Sequence, residues 1–124
     1  MIGHTRDGDV VILELQRPDK RNALSTDLCV ALRREVEQAD ADGARVVVIT
    51  GQGSSFCAGA DLTGDAFPDA FGETLEGMLP AIERVSVPVV AAINGPAVGA
   101  GTQLAIACDL RVVAPEAFFE IPST

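Results

Sequence analysis

The sequence predicts an α/β fold with a largely parallel sheet. Three short apolar runs rich in valine and isoleucine are typical of strands, at residues 10–15, 45–50 and 87–93. Between these runs lie segments whose apolar residues recur at helical spacing, and turn-forming residues separate the elements. Strands that alternate with helices usually join through crossovers into a parallel sheet.

The first strand and helix follow from periodicity and from the residues that flank them. The strand VVILEL, residues 10–15, ends at the turn-forming segment RPDKRN. Ser25, Thr26 or Asp27 then offers a side-chain oxygen that can cap a helix. This helix ends at residues 42–43, and its apolar positions at helical spacing are Leu28, Leu32, Val36 and Ala39.

The middle of the chain contains a strand, a loop and a second helix. Residues 45–50, RVVVIT, show no polar alternation, which predicts a strand buried on both faces. Residues 63–71 hold Gly, Asp and Pro without a clear period, which predicts a mobile loop. A helix is predicted from Glu73 to Val85, and Pro80 inside it indicates a kink or a weaker helix.

The last third of the chain continues the alternation. Residues 87–93 form a third buried strand, the turn NGPAVGAG follows, and an apolar helix begins after it. Residues 110–114 predict a fourth strand and residues 118–121 a short fifth one. The sequence ends at IPST without a closing helix, so we expect residues 1–124 to form part of a longer domain.

Charge and composition exclude one class of partner. The formal net charge is −9, and aromatic residues make up only 4% of the chain. Such a surface repels nucleic acid and has few rings to stack on bases, so we expect no nucleic-acid partner. A phosphorylated small molecule stays possible, because it needs only a few local donors.

The cysteines and the single histidine do not suggest a metal site. Cys29, Cys57 and Cys108 are widely spaced, and His4 lies near the N-terminus. This pattern favours buried, reduced thiols over a metal centre or a Cys–His catalytic pair. No signal-peptide core opens the sequence and no apolar run reaches membrane-spanning length, so we expect a cytoplasmic protein without a membrane span.

One pattern occurs twice: a buried strand, a turn of small residues, and a helix start. The copies are VVVITGQGSSFCAGADL and PVVAAINGPAVGAGTQL. Brought together, two such turns would form an oxyanion hole, in which two backbone N–H groups converge on one oxygen. The glycines are equally consistent with tight packing of helices on strands, so the pattern alone leaves both interpretations open. A dinucleotide-binding loop is disfavoured, because Leu104 stands where that motif requires glycine or alanine.

Three segments together resemble the enoyl-CoA hydratase/isomerase (crotonase) superfamily: RPDKRNAL, GQGSSFCAGADL and INGPAVGAGTQLAIACDLRVVAPEAFF. The resemblance implies an α/β fold of the crotonase type, a spiral of ββα units, assembled as a homotrimer or a hexamer. Family chains are much longer, so residues 1–124 would be the N-terminal half of the spiral, without its C-terminal half. The pattern is similar to enoyl-CoA hydratase-like proteins of mycobacteria and other actinobacteria, which act in fatty-acid and lipid metabolism.

The resemblance also implies a ligand, a coenzyme A thioester, and residues that bind it. The two oxyanion amides fall on Ala60, in CAGAD, and on Ala100, in VGAG, where the family usually has glycine. Arg21 is the candidate for a CoA phosphate, and we expect Asp61 to cap the following helix rather than to transfer protons. The residues implied in CoA or substrate binding are Arg21, Ala23, Leu24, Ala58, Ala60, Asp61, Leu62, Gly99 and Ala100.

Both glutamates of the family hydratases are replaced in this sequence. Their positions correspond to Gln103 and Ser123. Glutamine can hydrogen-bond a water molecule but cannot exchange a proton near neutral pH. Because each positioned acid or base commonly contributes about 10²–10⁴-fold in rate, we expect thioester binding without efficient hydration.

Two other interpretations stay open. The first is an active family enzyme (a hydratase, an isomerase or an acyl-CoA hydrolase) that uses Glu120 or a carboxylate from beyond residue 124. In the interpretation as an acyl-CoA-binding protein, Phe118 or Phe119 would pack against the acyl chain. The second is a purely structural interaction module, which explains the strands but not the repeated turns.

Overall fold

The computed structural model describes residues 1–61 and 68–121, apart from the side chains of residues 68 and 69. A short 3-10 helix at Pro18–Lys20 precedes the first long helix. The strands and helices of the described residues are β1 (Ile2–Asp7), β2 (Val10–Leu15), α1 (Thr26–Ala41), β3 (Val46–Gly51), α2 (Pro68–Arg84), β4 (Val89–Ile93), β5 (Ala97–Val98), α3 (Ala100–Ala107), β6 (Leu110–Val113) and β7 (Phe119–Glu120).

The main sheet has five strands in the order β1-β2-β3-β4-β6. Strand β1 is antiparallel to β2, and the other neighbouring pairs are parallel. A second, two-stranded sheet pairs β5 with β7 in parallel. The predicted α/β fold with a largely parallel sheet is confirmed.

Strand β1 was not predicted. It pairs with β2 from Ile2↔Leu15 to Asp7↔Val10, so only Gly8 and Asp9 form the loop between them. Gly8 has a φ of +60°, which glycine adopts without strain. Glycine at the first position of a two-residue loop is a hairpin signal, and it lies in the sequence just before the predicted strand.

Helix α1 matches its prediction closely. Ser25 is the N-cap, and its Oγ accepts a hydrogen bond of 3.1 Å from the backbone N–H of Leu28. The predicted apolar positions are all buried, and they join the core beneath β2 and β3. The cap and the apolar stripe together position the segment that precedes the helix, residues 21–24.

Helix α2 begins earlier than predicted. It starts at Pro68, so the predicted loop at residues 63–71 is wrong over its last four positions, and its remaining part lies outside the described residues. Proline is favoured in the first turn of a helix, where its missing N–H costs no hydrogen bond. The helix continues through Pro80 to Arg84.

The prediction that β3 is buried on both faces is wrong. Alternate residues of β2, β3 and β4 are buried, and those between them are half-buried. The buried side contains Leu13, Ile49 and Ala91 and packs against the apolar faces of α1 and α2. The described residues place no helix over the other face. Among them, no helix is long and apolar enough to cross a membrane.

Candidate functional site

The two small-residue turns lie side by side. The N–H groups of Phe56 and Cys57 donate to the carbonyl of Pro96 at 3.1 and 3.3 Å, and the N–H of Val98 donates to the carbonyl of Cys57 at 3.0 Å. Gly101 lies so close that a Cβ there would collide with the Cys57 carbonyl oxygen. The turn after β3 and the start of α3 therefore form one surface.

Ala60 is held by hydrogen bonds on its two neighbours. The N–H of Leu24 donates to the carbonyl of Gly59, and the N–H of Asp61 donates to the carbonyl of Leu24, both at 2.7 Å. In a parallel bridge of this kind, the central residue uses neither of its own backbone groups. The N–H of Ala60 therefore points away from Leu24, and Ala60 is exposed.

Ala100 is the first residue of α3, directly after the N-cap Gly99. The N–H groups of a first helical turn have no partner within the helix, so the Ala100 N–H is directed outward at the helix end. The described non-glycine residues with positive φ are Arg21 and Asn22. A Cβ at position 60 or 100 is thus compatible with the backbone.

Of the two positions that correspond to the glutamates of family hydratases, the structure describes only Gln103. Gln103 is exposed, one turn into α3, and its backbone N–H donates to the carbonyl of Gly99 at 3.1 Å. Ser123 lies outside the described residues, as does Leu62.

Strand β7 places Glu120 beside the start of α3. The carbonyl oxygen of Glu120 accepts hydrogen bonds from the Gly99 N–H at 2.7 Å and from the Thr102 hydroxyl at 3.0 Å. The Glu120 side chain is exposed, and so are Phe118 and Phe119 next to it. The backbone of β7 is therefore fixed against the turn, while its side chains are accessible.

The segment at residues 21–24 contacts the turn that follows β3. The carbonyl of Arg21 accepts a hydrogen bond from the N–H of Ala58 at 3.0 Å. The backbone of Arg21 is left-handed, with a φ of +51°, and its side chain is exposed. Ala23 is buried, and the Leu24 side chain is fully enclosed in the core. Leu24 consequently supports the turn through its backbone and does not offer its side chain to a ligand.

The expectation that Asp61 caps the following helix is wrong for α2, the next described helix. Helix α2 begins only at Pro68, whereas the Asp61 carboxylate pairs with the Arg17 guanidinium at 2.8 Å. Arg17 also donates to the carbonyl of Ala23 at 2.6 Å. Arg17 therefore ties the segment after β2 to the turn that carries Ala60.

Comparisons with known proteins identify the family of this chain. The family model for enoyl-CoA hydratase/isomerase matches residues 5–124. The chain belongs to the enoyl-CoA hydratase/isomerase family. The predicted resemblance and the crotonase-type fold are thereby confirmed.

Relatives and solved structures of the family match nearly the whole chain. It is 52% identical over 124 residues to the probable enoyl-CoA hydratase echA6 of Mycobacterium tuberculosis, covering 100% of this chain and 51% of that protein. An enoyl-CoA hydratase structure from Mycobacterium smegmatis matches with a TM-score of 0.88 and 35% identity, covering 95% and 49% of the two chains. One from Polaromonas sp. matches with a TM-score of 0.86 and 37% identity, at the same coverages of 95% and 49%. The chain spans about half the length of the relatives that it matches.

Two asparagines that were not predicted as site residues donate hydrogen bonds to the loop after β3. Asn22 is fully buried, and its amide donates to the carbonyls of Gln52 and Ser55, each at 2.9 Å. Asn94 donates to Ser55 from the other side, at 3.2 Å. Asparagine tolerates left-handed backbone better than most residues, and Asn22 has a φ of +58°. Its place in the turn segment RPDKRN is the signal that would have identified it.

The three cysteines are free and buried, as predicted. Burial raises the pKa of Cys57 to about 11 and that of Cys29 to about 12. The pKa of Cys108 is also raised to about 12, by burial first and then by the neighbouring Asp109 carboxylate. All three thiols are neutral near pH 7, so none of them is a nucleophile at the paired turns. Within residues 1–61 and 68–121 no cluster of His, Cys, Asp and Glu could hold a metal ion.

Proposed function

We propose that this chain forms the thioester-binding part of an acyl-CoA-binding protein of fatty-acid metabolism. In this proposal the N–H groups of Ala60 and Ala100 donate to the thioester carbonyl oxygen. The observation that supports it best is the pairing of the two turns, in which Val98 bonds Cys57 and Gly101 packs against the same carbonyl. Two rigid backbone donors on one surface are what a carbonyl oxygen with developing negative charge requires.

Among residues 1–61 and 68–121, the hydrogen bonds around the turns leave the N–H groups of Ala60 and Ala100 without a partner, which supports the proposal. The backbone groups of Leu24 are hydrogen-bonded to residues 59 and 61. Because Ala60 lies between these two residues, its N–H points away from Leu24. Gly99 donates its N–H to Glu120, so Ala100 is the next amide along the chain and begins the helix. The positive end of the α3 dipole adds to the preference of this position for a partially negative oxygen.

A second part of the proposal is that hydration of enoyl thioesters is inefficient. Gln103 is exposed near the start of α3, where a family hydratase carries a glutamate. A neutral amide can hold the attacking water but cannot accept its proton. With Ser123 at the other position, the loss of two positioned carboxylates leaves only the stabilisation that the backbone amides provide.

Arg21 is the proposed contact for a CoA phosphate. Its side chain is exposed, and its backbone carbonyl is bonded to Ala58 in the turn that precedes Ala60. A guanidinium in this place can donate two hydrogen bonds to one phosphate group. The pantetheine arm would then run past residues 58–60 towards the two amides.

The test is a calorimetric titration of the longest natural chain that contains residues 1–124, with acyl-CoAs of several lengths. We expect binding of acyl-CoA and hydration of crotonyl-CoA at the background rate in an assay on the same sample. Fast hydration that persists in Gln103→Ala would contradict the proposal of a binding protein. Absence of acyl-CoA binding would contradict the thioester site itself.

One observation favours an active enzyme as the alternative. Glu120 lies on β7, whose backbone is bonded to Gly99 at the start of α3, and its side chain is exposed there. A carboxylate in that place could act as general base in a hydratase, an isomerase or a thioester hydrolase. Turnover that disappears in Glu120→Gln, with binding retained, would establish this alternative.

A further inference from the structure

Thr102 is a polar residue enclosed near the paired turns. Its side chain lies in the first turn of α3 and is only 3% exposed. Its hydroxyl oxygen is 2.8 Å from the carbonyl oxygen of Ala97 and 3.0 Å from that of Glu120. Threonine within a helix usually bonds a carbonyl three or four residues back, whereas this hydroxyl bridges three separate elements.

The bridge joins the two strands of the small sheet to the helix start. Ala97 belongs to β5, which pairs with β7 through the N–H of Ala97 and the carbonyl of Phe118 at 2.9 Å. Glu120 belongs to β7, and its carbonyl accepts both the Thr102 hydroxyl and the Gly99 N–H. Ala100 lies between Gly99 and Thr102 in the chain, so the two hydrogen bonds to the Glu120 carbonyl flank it.

A hydroxyl has one proton and can share it between two acceptors that lie on the same side. Both acceptors here are backbone carbonyls, so the hydroxyl constrains the backbone of β5 and β7 relative to α3. Valine has nearly the same shape but cannot donate, so it would fill the space and release this constraint. Among the described residues, the start of α3 would then be hydrogen-bonded to β7 only through the Gly99 N–H.

We propose that Thr102 is a positioning residue for the thioester site: its buried hydroxyl fixes the Ala100 N–H relative to β7. Thr102 does not touch the ligand in this proposal and acts through the backbone of residues 97–100 and 120. The inference rests on the proposed function, because it assumes that the Ala100 N–H binds the thioester carbonyl. It adds a residue that sets the geometry of that donor.

The experiment separates carbonyl recognition from binding of the rest of the ligand. The longest natural chain that contains residues 1–124 is titrated with hexanoyl-CoA and with S-hexyl-CoA, a thioether that lacks the carbonyl oxygen. The ratio of the two affinities measures the amide contacts alone. Thr102→Val removes the hydroxyl, and Thr102→Ser keeps it as the matched control.

We expect the wild-type protein to prefer the thioester, and Thr102→Val to lose about threefold of this preference, the size of one hydrogen bond. Thr102→Ser should retain the wild-type ratio, and S-hexyl-CoA should bind all three proteins equally. Thr102→Ala removes the same hydroxyl from a smaller side chain and replaces Thr102→Val if that variant does not fold.

Each alternative result has a distinct meaning. A folded Thr102→Val with the full wild-type preference would overturn the role of Thr102 and leave the proposed function intact. A wild-type protein that binds both ligands equally well would overturn the oxyanion contacts and Thr102 together. Equal loss of affinity for both ligands in Thr102→Val would also contradict the inference, because it indicates a general structural role.

Discussion

At the scale of single residues, the neighbours Ala100 and Gly101 differ in whether the structure leaves room for a Cβ. Ala100 begins α3 without a positive φ, so its methyl group is compatible with the backbone. Gly101 faces the carbonyl of Cys57, and any Cβ there would overlap that oxygen. The turn therefore accepts alanine at position 100, whereas position 101 requires glycine.

Removing the N–H of Ala100 is the most direct test of its proposed role. Proline is tolerated in the first position of a helix, where its fixed φ suits the helix and its missing N–H breaks no helical bond. We expect Ala100→Pro to bind acyl-CoA about 3–10-fold more weakly, through the loss of one hydrogen bond. Calorimetry would measure this loss against free coenzyme A, whose affinity should not change.

Ala100→Gly is the matched control, because it alters the side chain and keeps the N–H. It should bind acyl-CoA like the wild-type protein and unfold at a similar temperature. Equal acyl-CoA affinity in Ala100→Pro and Ala100→Gly would show that this amide does not contact the thioester.

At the scale of elements, the sequence predicted those with a clear periodicity of apolar residues. Helix α1 could be predicted from Ser25 and its apolar spacing, and its contacts are as expected. Strand β1 and the start of α2 depend on turn chemistry at Gly8 and Pro68, which the periodicity of apolar residues does not report. Burial of the strands was overestimated, because an apolar run does not tell whether one face or both will be covered.

In the candidate site, local signals could be predicted from the sequence, and contacts between distant residues could not. The two turns were identifiable because small residues after a strand form a local motif. The clamps around them were not, since Arg17 and Asp61 are separated by 44 positions and Asn22 and Ser55 by 33. Such pairs become visible only when the fold brings the loops together.

The Arg17–Asp61 pair is expected to stabilise the element that carries Ala60. The two side chains are only 19% and 13% exposed, so their attraction is less screened than that of a surface pair. Asp61→Asn should lower the free energy of unfolding by about 1.5–3 kcal/mol, the usual range for hydrogen bonds to charged groups. Chemical denaturation of the longest natural chain that contains this sequence would measure it.

The exposed Arg33–Glu37 pair on α1 provides the control for that experiment. Its side chains are 43% and 50% exposed, and its N–O distance is 3.4 Å. Glu37→Gln should change the free energy of unfolding by no more than about 0.5 kcal/mol. If both variants cost the same, Arg17 and Asp61 do not form a stabilising clamp.

At the scale of the whole molecule, the main sheet presents a second apolar face. Ile12, Val48, Val90 and Leu110 form one row across four neighbouring strands on that face. The first three are half-buried, and Leu110 is 60% exposed. Residues 1–124 match about half the length of their relatives. An apolar row of this extent is typical of a surface that packs against further protein.

We therefore expect residues 1–124, expressed alone, to self-associate through this face and the β6 edge. Strand β6 pairs with β4 within the described residues, and Val112 on it is 65% exposed. Light scattering should detect the association, and Val112→Lys should reduce it, because a charged side chain on an edge strand opposes pairing with another chain. Ile106→Lys is the matched control: Ile106 is 61% exposed but lies on α3, away from any strand edge. A monomer that unfolds cooperatively, or equal solubilisation by both lysine variants, would show that the β6 edge does not drive association.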